Sequence, residues 1–159
     1  EAIEALRQMA LELTSEDLKS KTPQARKFLQ FLGTEAFRRN VDDLYWVNRA
    51  ADAIDRLPPE TQVVFIPDCR FPNEADYVRR MGGAVWRIER YVVRPDVRHD
   101  HVDSDVIVPF DNGLSPKQKA HPSETALDDY KFDAVIKATN MDDLFHAVEG
   151  ELRRLRLLA

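Results

Sequence analysis

Residues 63–74 read Val-Val-Phe-Ile-Pro-Asp-Cys-Arg-Phe-Pro-Asn-Glu, and no other stretch limits the fold as much. A short apolar run rich in β-branched residues predicts a buried strand at Val63–Ile66. Three charged side chains follow closely: Asp68, Arg70 and Glu74. Asn73 fits a helix N-cap, with Glu74 and Asp76 in the first turn and the helix running to Met81. Gly82-Gly83 ends it. Ala84–Tyr91 then predicts a second strand. Strand, helix and strand in this order form a βαβ unit, which makes the strands parallel neighbours. In open α/β sheets ligands bind just beyond the carboxyl ends of strands, where Asp68 and Arg70 lie. Two residues apart, they point the same way in an extended chain. Arg70 can grip a phosphate through two parallel hydrogen bonds. Asp68 and Glu74 can accept from hydroxyls or base amino groups, or hold Arg70. A structural ion-pair knot suits the same residue types, so both readings stay open at this point.

The rest of the chain supplies helices and one more strand. Glu1–Leu13 has helical spacing, and a chain that opens inside a helix without Met is expected to be a fragment or a processed piece. Thr22-Pro23 is a helix start, with Thr as N-cap and Pro first inside. Ala25, Phe28, Leu29, Leu32, Ala36 and Phe37 form its apolar face. Arg26, Gln30, Thr34 and Arg38 fall at four-residue steps and form a polar stripe. The stripe suits an anionic small molecule, and equally a solvated face. Gly33 inside this helix costs about 1 kcal/mol relative to Ala and can mark a close approach by a ligand or backbone. Asp42–Leu57 predicts a third helix, stopped by Pro58-Pro59, with Trp46 in the core or as a pocket wall. Val92–Ala120 reads as a long loop with a short strand at Val106–Phe110. Its His99, His101, Asp103 and Asp105 alternate and can face one metal if extended, although a solvated loop fits them better. Ser123 is expected to cap a short helix through Asp128. Phe132–Lys137 predicts the third strand. Asn140 caps a last helix whose buried face is Leu144, Phe145, Val148, Leu152 and Leu155. Arg153, Arg154 and Arg156 read as its solvated basic end.

Bulk properties narrow the function classes. The net charge of −5 leaves no overall basic field to attract nucleic acid, so no nucleic-acid partner is expected. Cys69 is the one cysteine, which rules out an internal disulfide and fits a reducing, cytoplasmic setting. No apolar run approaches the ~20 residues of a membrane span, and no signal peptide is visible.

Four motifs occur in a telling order: Arg26-x3-Gln30-x2-Gly33-Thr34-Glu35, Asp68-x-Arg70-Phe71-Pro72-Asn73-Glu74 followed by Gly82-Gly83, His121-Pro122-Ser123-Glu124, and Phe132-x-x-Val135-Ile136 leading to Asn140. Together they span most of the chain and resemble the deoxynucleoside monophosphate kinases of bacteriophages, in the P-loop nucleotide-kinase class. The resemblance implies an α/β fold, with a three-layer parallel sheet and helices on both faces. It implies one kinase-like domain over 1–159, with 92–120 a long loop or lid-like insertion. It further implies transfer of the ATP γ-phosphate to a deoxynucleoside monophosphate, with ATP and Mg²⁺ as cofactors. Residue by residue, Asp68, Arg70 and Glu74 look like the substrate and catalytic cluster, with Arg70 near the phosphates. Arg26, Gln30 and Thr34 look like part of the monophosphate-binding helix. His121, Ser123 and Glu124 look like a lid or substrate-proximal element, and Asn140 lies where such kinases pass the adenine. A homodimer is compatible with this reading.

One departure stands out. These kinases carry a G-x-x-x-x-G-K-[ST] loop, whose amides cradle phosphate. None of the five glycines here fits it. The first strand and phosphate loop are therefore expected to be absent from this chain, which alone is expected to be inactive and to show an open strand edge. The alternatives are a non-catalytic nucleotide-binding or regulatory module, a P-loop kinase acting on a modified base in DNA, and, more distantly, a metal-dependent nuclease.

Overall fold

The computed structural model describes residues 2–95 and 105–158. His99, His101 and Asp103 lie outside them. Asp105 opens a strand and is exposed. The fold is mixed α/β and groups into two compact units, Glu1–Glu74 and Ala75–Ala159. Among the described residues no helix is long and apolar enough to cross a membrane.

The first unit is helical. α1 is Ala2–Leu11 and α2 is Ser15–Ser20. Thr14 and Asp17 close a capping box on α2, and the Thr14 hydroxyl bond holds the Asp17 carboxyl below its ordinary range. α3 is Pro23–Gln30, capped by the Thr22 hydroxyl as the sequence predicts. It then continues as a nine-residue π-helical segment, Phe31–Arg39. Two side chains bond carbonyls within this segment: Trp46 Nε1 donates to the Gly33 oxygen at 2.8 Å, and Asn40 Nδ2 donates to that of Glu35. Such insertions are a known cause of departures from the α-helical ladder. α4, Tyr45–Ile54, is shorter than predicted, because Asp42 Oδ1 accepts from the Leu44 amide at 2.9 Å and folds a turn instead.

Residues 63–66 do not form the predicted strand. Val63, Val64 and Ile66 are exposed, and Phe65 is 65% exposed. The first unit contains no strand among its described residues, so nothing there offers the run an edge to pair with. The βαβ unit built on that strand is therefore not formed.

α5 is Pro72–Arg80, beginning one residue before the predicted Asn73 with Pro at its first position. It ends on Gly82 at φ +79°, with Gly82 and Gly83 amides donating back to Arg79 and Val78. A Cβ at Gly83 would meet Val78 Cγ1 at 2.8 Å and the Val78 oxygen at 3.1 Å. Gly83→Ala is therefore expected to destabilise the second unit by about 1–3 kcal/mol. A denaturant midpoint unchanged from wild type would contradict this.

The second unit holds a three-stranded sheet in the order β2-β1-β3, from β1 Trp86–Pro95, β2 Asp105–Pro109 and β3 Ala134–Ala138. Trp86–Arg90 pairs in parallel with β3, and Tyr91–Pro95 pairs antiparallel with β2. The sheet is thus mixed, not wholly parallel, because β2 pairs antiparallel with the second half of β1. Much of 92–120 is ordered by this pairing and by α6, Pro116–Lys119, which Ser115 caps. Asp133 aligns β1 with β3: its Oδ2 accepts from the Val85 amide at 2.8 Å, and Arg79 pairs with its other oxygen at 3.2 Å. The backbone bond, with Arg79, holds the Asp133 carboxyl below its ordinary range.

α7 is Pro122–Thr125, and here His121 is the N-cap, not Ser123. The His121 ring Nδ1 accepts from the Ser123 amide, placing Ser123 inside the helix and burying it. α8, Met141–Arg154, is capped by Asn140 as predicted and packs along β3, burying Ile136 and Ala138. Phe145 is 63% exposed, so it is not part of the buried face.

Candidate functional site

The cluster predicted at residues 68–74 is built around one buried arginine. The stripe Arg26, Gln30, Thr34, Arg38 is not a uniform solvated face: Arg26 is exposed, Gln30 half-buried, and Thr34 and Arg38 buried. At its deep end the Arg38 side chain is 5% exposed. Its NH1 donates to the Asp43 carbonyl at 2.9 Å, to Asp43 Oδ1 at 3.2 Å and to Asn73 Oδ1 at 3.0 Å. Its NH2 donates to Glu74 Oε1. The guanidinium also lies over the Phe71 ring, 3.9 Å from the centroid. Among the described residues Arg38 Nε is buried with no partner.

Glu74 passes this anchoring on. Its second oxygen accepts from the backbone amides of Arg70, at 2.7 Å, and Phe71, at 3.1 Å. The carboxylate therefore fixes the turn that leads into α5. Asn73 ties the same turn to Asp43, its Nδ2 donating to the Asp43 carbonyl at 3.0 Å. Further out, Arg70 Nε donates to Asp68 Oδ1 at 2.5 Å, and these two side chains are 43% and 75% exposed. The inner ion pair is largely withdrawn from water, its side chains 5% and 17% exposed, and the outer one faces water. Between them, Cys69 has its thiol pushed up to about 11, by burial first and then by the charges of Glu74 and Asp68. It stays protonated near neutral pH and is no nucleophile there.

Asp68, Arg70 and Glu74 are thus brought together as predicted. Arg26 is not with them: its Nε donates to the Lys21 carbonyl at 3.0 Å, about three helical turns from Arg38. His121, Ser123 and Glu124 belong to the second unit, where His121 Nδ1 and Ser123 Oγ are 2.8 Å apart. Glu124 lines an open cleft with Phe110, Asn112 and Lys119. Asn140 spends its side chain on capping α8, with Oδ1 accepting from the Asp143 amide at 2.9 Å. The central residue that the motif reading missed is Arg38. Its place in the stripe was visible, but its burial was not. Among the described residues no three His, Cys, Asp or Glu side chains converge as a metal site.

Comparison with known proteins bears on the same stretch. A family model described as deoxynucleotide monophosphate kinase matches residues 4–131. A deoxynucleotide monophosphate kinase of Enterobacteria phage T4 is 31% identical over 100 residues, which cover 56% of this chain and 40% of that protein. The chain thus spans about two-fifths of the length of that curated relative. No solved structure matches.

Proposed function

The chain belongs to the deoxynucleotide monophosphate kinase family, and from that premise we propose that it carries the acceptor side of a kinase that moves the γ-phosphate of ATP to a deoxynucleoside monophosphate. The observation that carries this reading is the Arg70–Asp68 pair, exposed to water on a turn that is itself anchored from inside. Phosphoryl transfer asks little covalent chemistry of a protein. It asks for in-line placement and for positive charge on the oxygens being passed. In this reading Arg70 grips the acceptor phosphate and Asp68 orients its guanidinium. Glu74 holds the backbone beneath them. On the family resemblance alone, Arg26, Gln30 and Thr34 of α3 and its continuation are assigned to acceptor binding, and His121, Ser123 and Glu124 of the second unit to a substrate-proximal element. The backbone at Asn140 borders the adenine of ATP. The sheet of the second unit is part of a P-loop kinase sheet.

The family implies ATP and Mg²⁺. Among the described residues no three His, Cys, Asp or Glu side chains converge to hold a metal by themselves, and no G-x-x-x-x-G-K-[ST] sequence is present in this chain for the ATP phosphates. The step assigned to this chain is therefore binding and orienting the acceptor.

The test is calorimetric titration of the 159-residue chain with a panel of deoxynucleoside monophosphates. Saturable binding of at least one, and weaker binding of its matched deoxynucleoside, is expected. Failure of every monophosphate to bind would overturn the reading.

A further inference from the structure

We infer that Arg38 is a positioning residue for the monophosphate site, acting through Glu74 on the turn that carries Arg70. The inference rests on the function proposed above and names a residue that its motifs did not include. The geometry is a relay. Arg38 holds Glu74 Oε1, and Glu74 Oε2 holds the amides of Arg70 and Phe71 at 2.7 and 3.1 Å. One carboxylate thus joins the buried guanidinium to the backbone of the residue proposed to meet phosphate. Asn73 and Asp43 fix the guanidinium laterally, and the Phe71 ring covers it.

The pattern of exposure separates the two arginines. Arg38 is 5% exposed and its charge is already matched by Asp43 and Glu74, so it is not placed to meet a ligand. Arg70, 43% exposed, is. A planar fork with several donors in fixed directions is what the Arg38 position uses, since one guanidinium serves Asp43, Asn73 and Glu74 at once. Lysine keeps the charge and loses the fork. Without the fork the Glu74 carboxylate is free to turn, and the Arg70 amide loses its fixed acceptor. Small misplacement of a phosphate-gripping group costs much affinity and rate.

The test joins a spectroscopic signature to binding. In the ¹⁵N-labelled chain, Arg38→Lys is expected to shift the Arg70 and Phe71 amide resonances and to speed their hydrogen exchange. The Ala25 amide, held by Thr22, is expected to stay in place. The affinity for the best-binding monophosphate should fall roughly tenfold. If Arg38→Lys does not fold, Arg38→Gln, which keeps amide donors but loses the charge and the fork, should move the same two amides and decides the matter. Unchanged Arg70 and Phe71 amides in the folded variant would overturn the inference. So would shifted amides with full monophosphate affinity. If the wild-type chain binds no monophosphate, the proposed function falls, whereas the amide shifts still report whether Arg38 governs the turn.

Discussion

Arg38→Ala is expected to lower the stability of the first unit by about 3–5 kcal/mol, the usual cost of breaking a buried ion pair from one side. The substitution leaves the Glu74 carboxylate, only 17% exposed, without the Arg38 cation. It also strips Asn73 Oδ1 and the Asp43 carbonyl of a donor, and uncovers the Phe71 ring. This figure is the cost of breaking the pair, which differs from its net worth. Arg38 Nε, with no partner among the described residues, offsets about 1–3 kcal/mol of that worth. Arg39→Ala is the control. That side chain is 58% exposed and pairs with Glu35 one turn away, so its loss stays within about 0.5 kcal/mol. Denaturation followed by Trp46 fluorescence in a Trp86→Phe background reads the first unit separately, since Trp46 packs edge-on against Phe37 there. A loss below about 1 kcal/mol for Arg38→Ala would show that the network does not hold the unit together.

What the sequence made legible was local. Thr22-Pro23, Asn140 and Gly82-Gly83 each satisfy or release backbone groups within a few residues of themselves, and all three mark element ends where predicted. The strands at 106–109 and 134–137 were readable from apolar, β-branched runs, and the one at 86–91 from Val85 and Ile88 following Gly82-Gly83, whereas residues 92–95, read as loop, extend β1. Val63–Ile66 carries the same signal and forms no strand, because pairing depends on an edge supplied from elsewhere in the chain. Whether the sheet would be parallel or mixed also hung on which strand pairs with the second half of β1, which no periodicity encodes. At the site, the motif brought Asp68, Arg70 and Glu74 together because they are neighbours in sequence. Arg38 reaches Asn73 and Glu74 across 35 and 36 residues, and helical periodicity reports which face a residue is on, not how deep that face is buried. His121 as an N-cap was missed for another reason: histidine is not among the usual capping residues, and Ser123 nearby is.

The second large effect is expected at Arg70, in binding and not in stability. Arg70 and Asp68 are exposed, and an exposed ion pair contributes about 0–1 kcal/mol to the fold. A charge-assisted hydrogen bond to a ligand is worth more, about 1.5–3 kcal/mol, which is roughly 10–100-fold in affinity. Arg70→Ala thus separates the two readings that the residue types left open. A structural knot loses stability with Arg70, while an acceptor site loses monophosphate and keeps its fold. The inner pair, Arg38 with Glu74, remains to hold the turn in either case.

The most direct measurement is calorimetric titration of one deoxynucleoside monophosphate into the wild-type chain and into Arg70→Ala, with thermal unfolding of both. Saturable binding to the wild type, at least tenfold weaker binding to the variant, and closely similar unfolding temperatures are predicted. Equal affinity in the two proteins would contradict the assignment of the Asp68–Glu74 turn as the acceptor phosphate site.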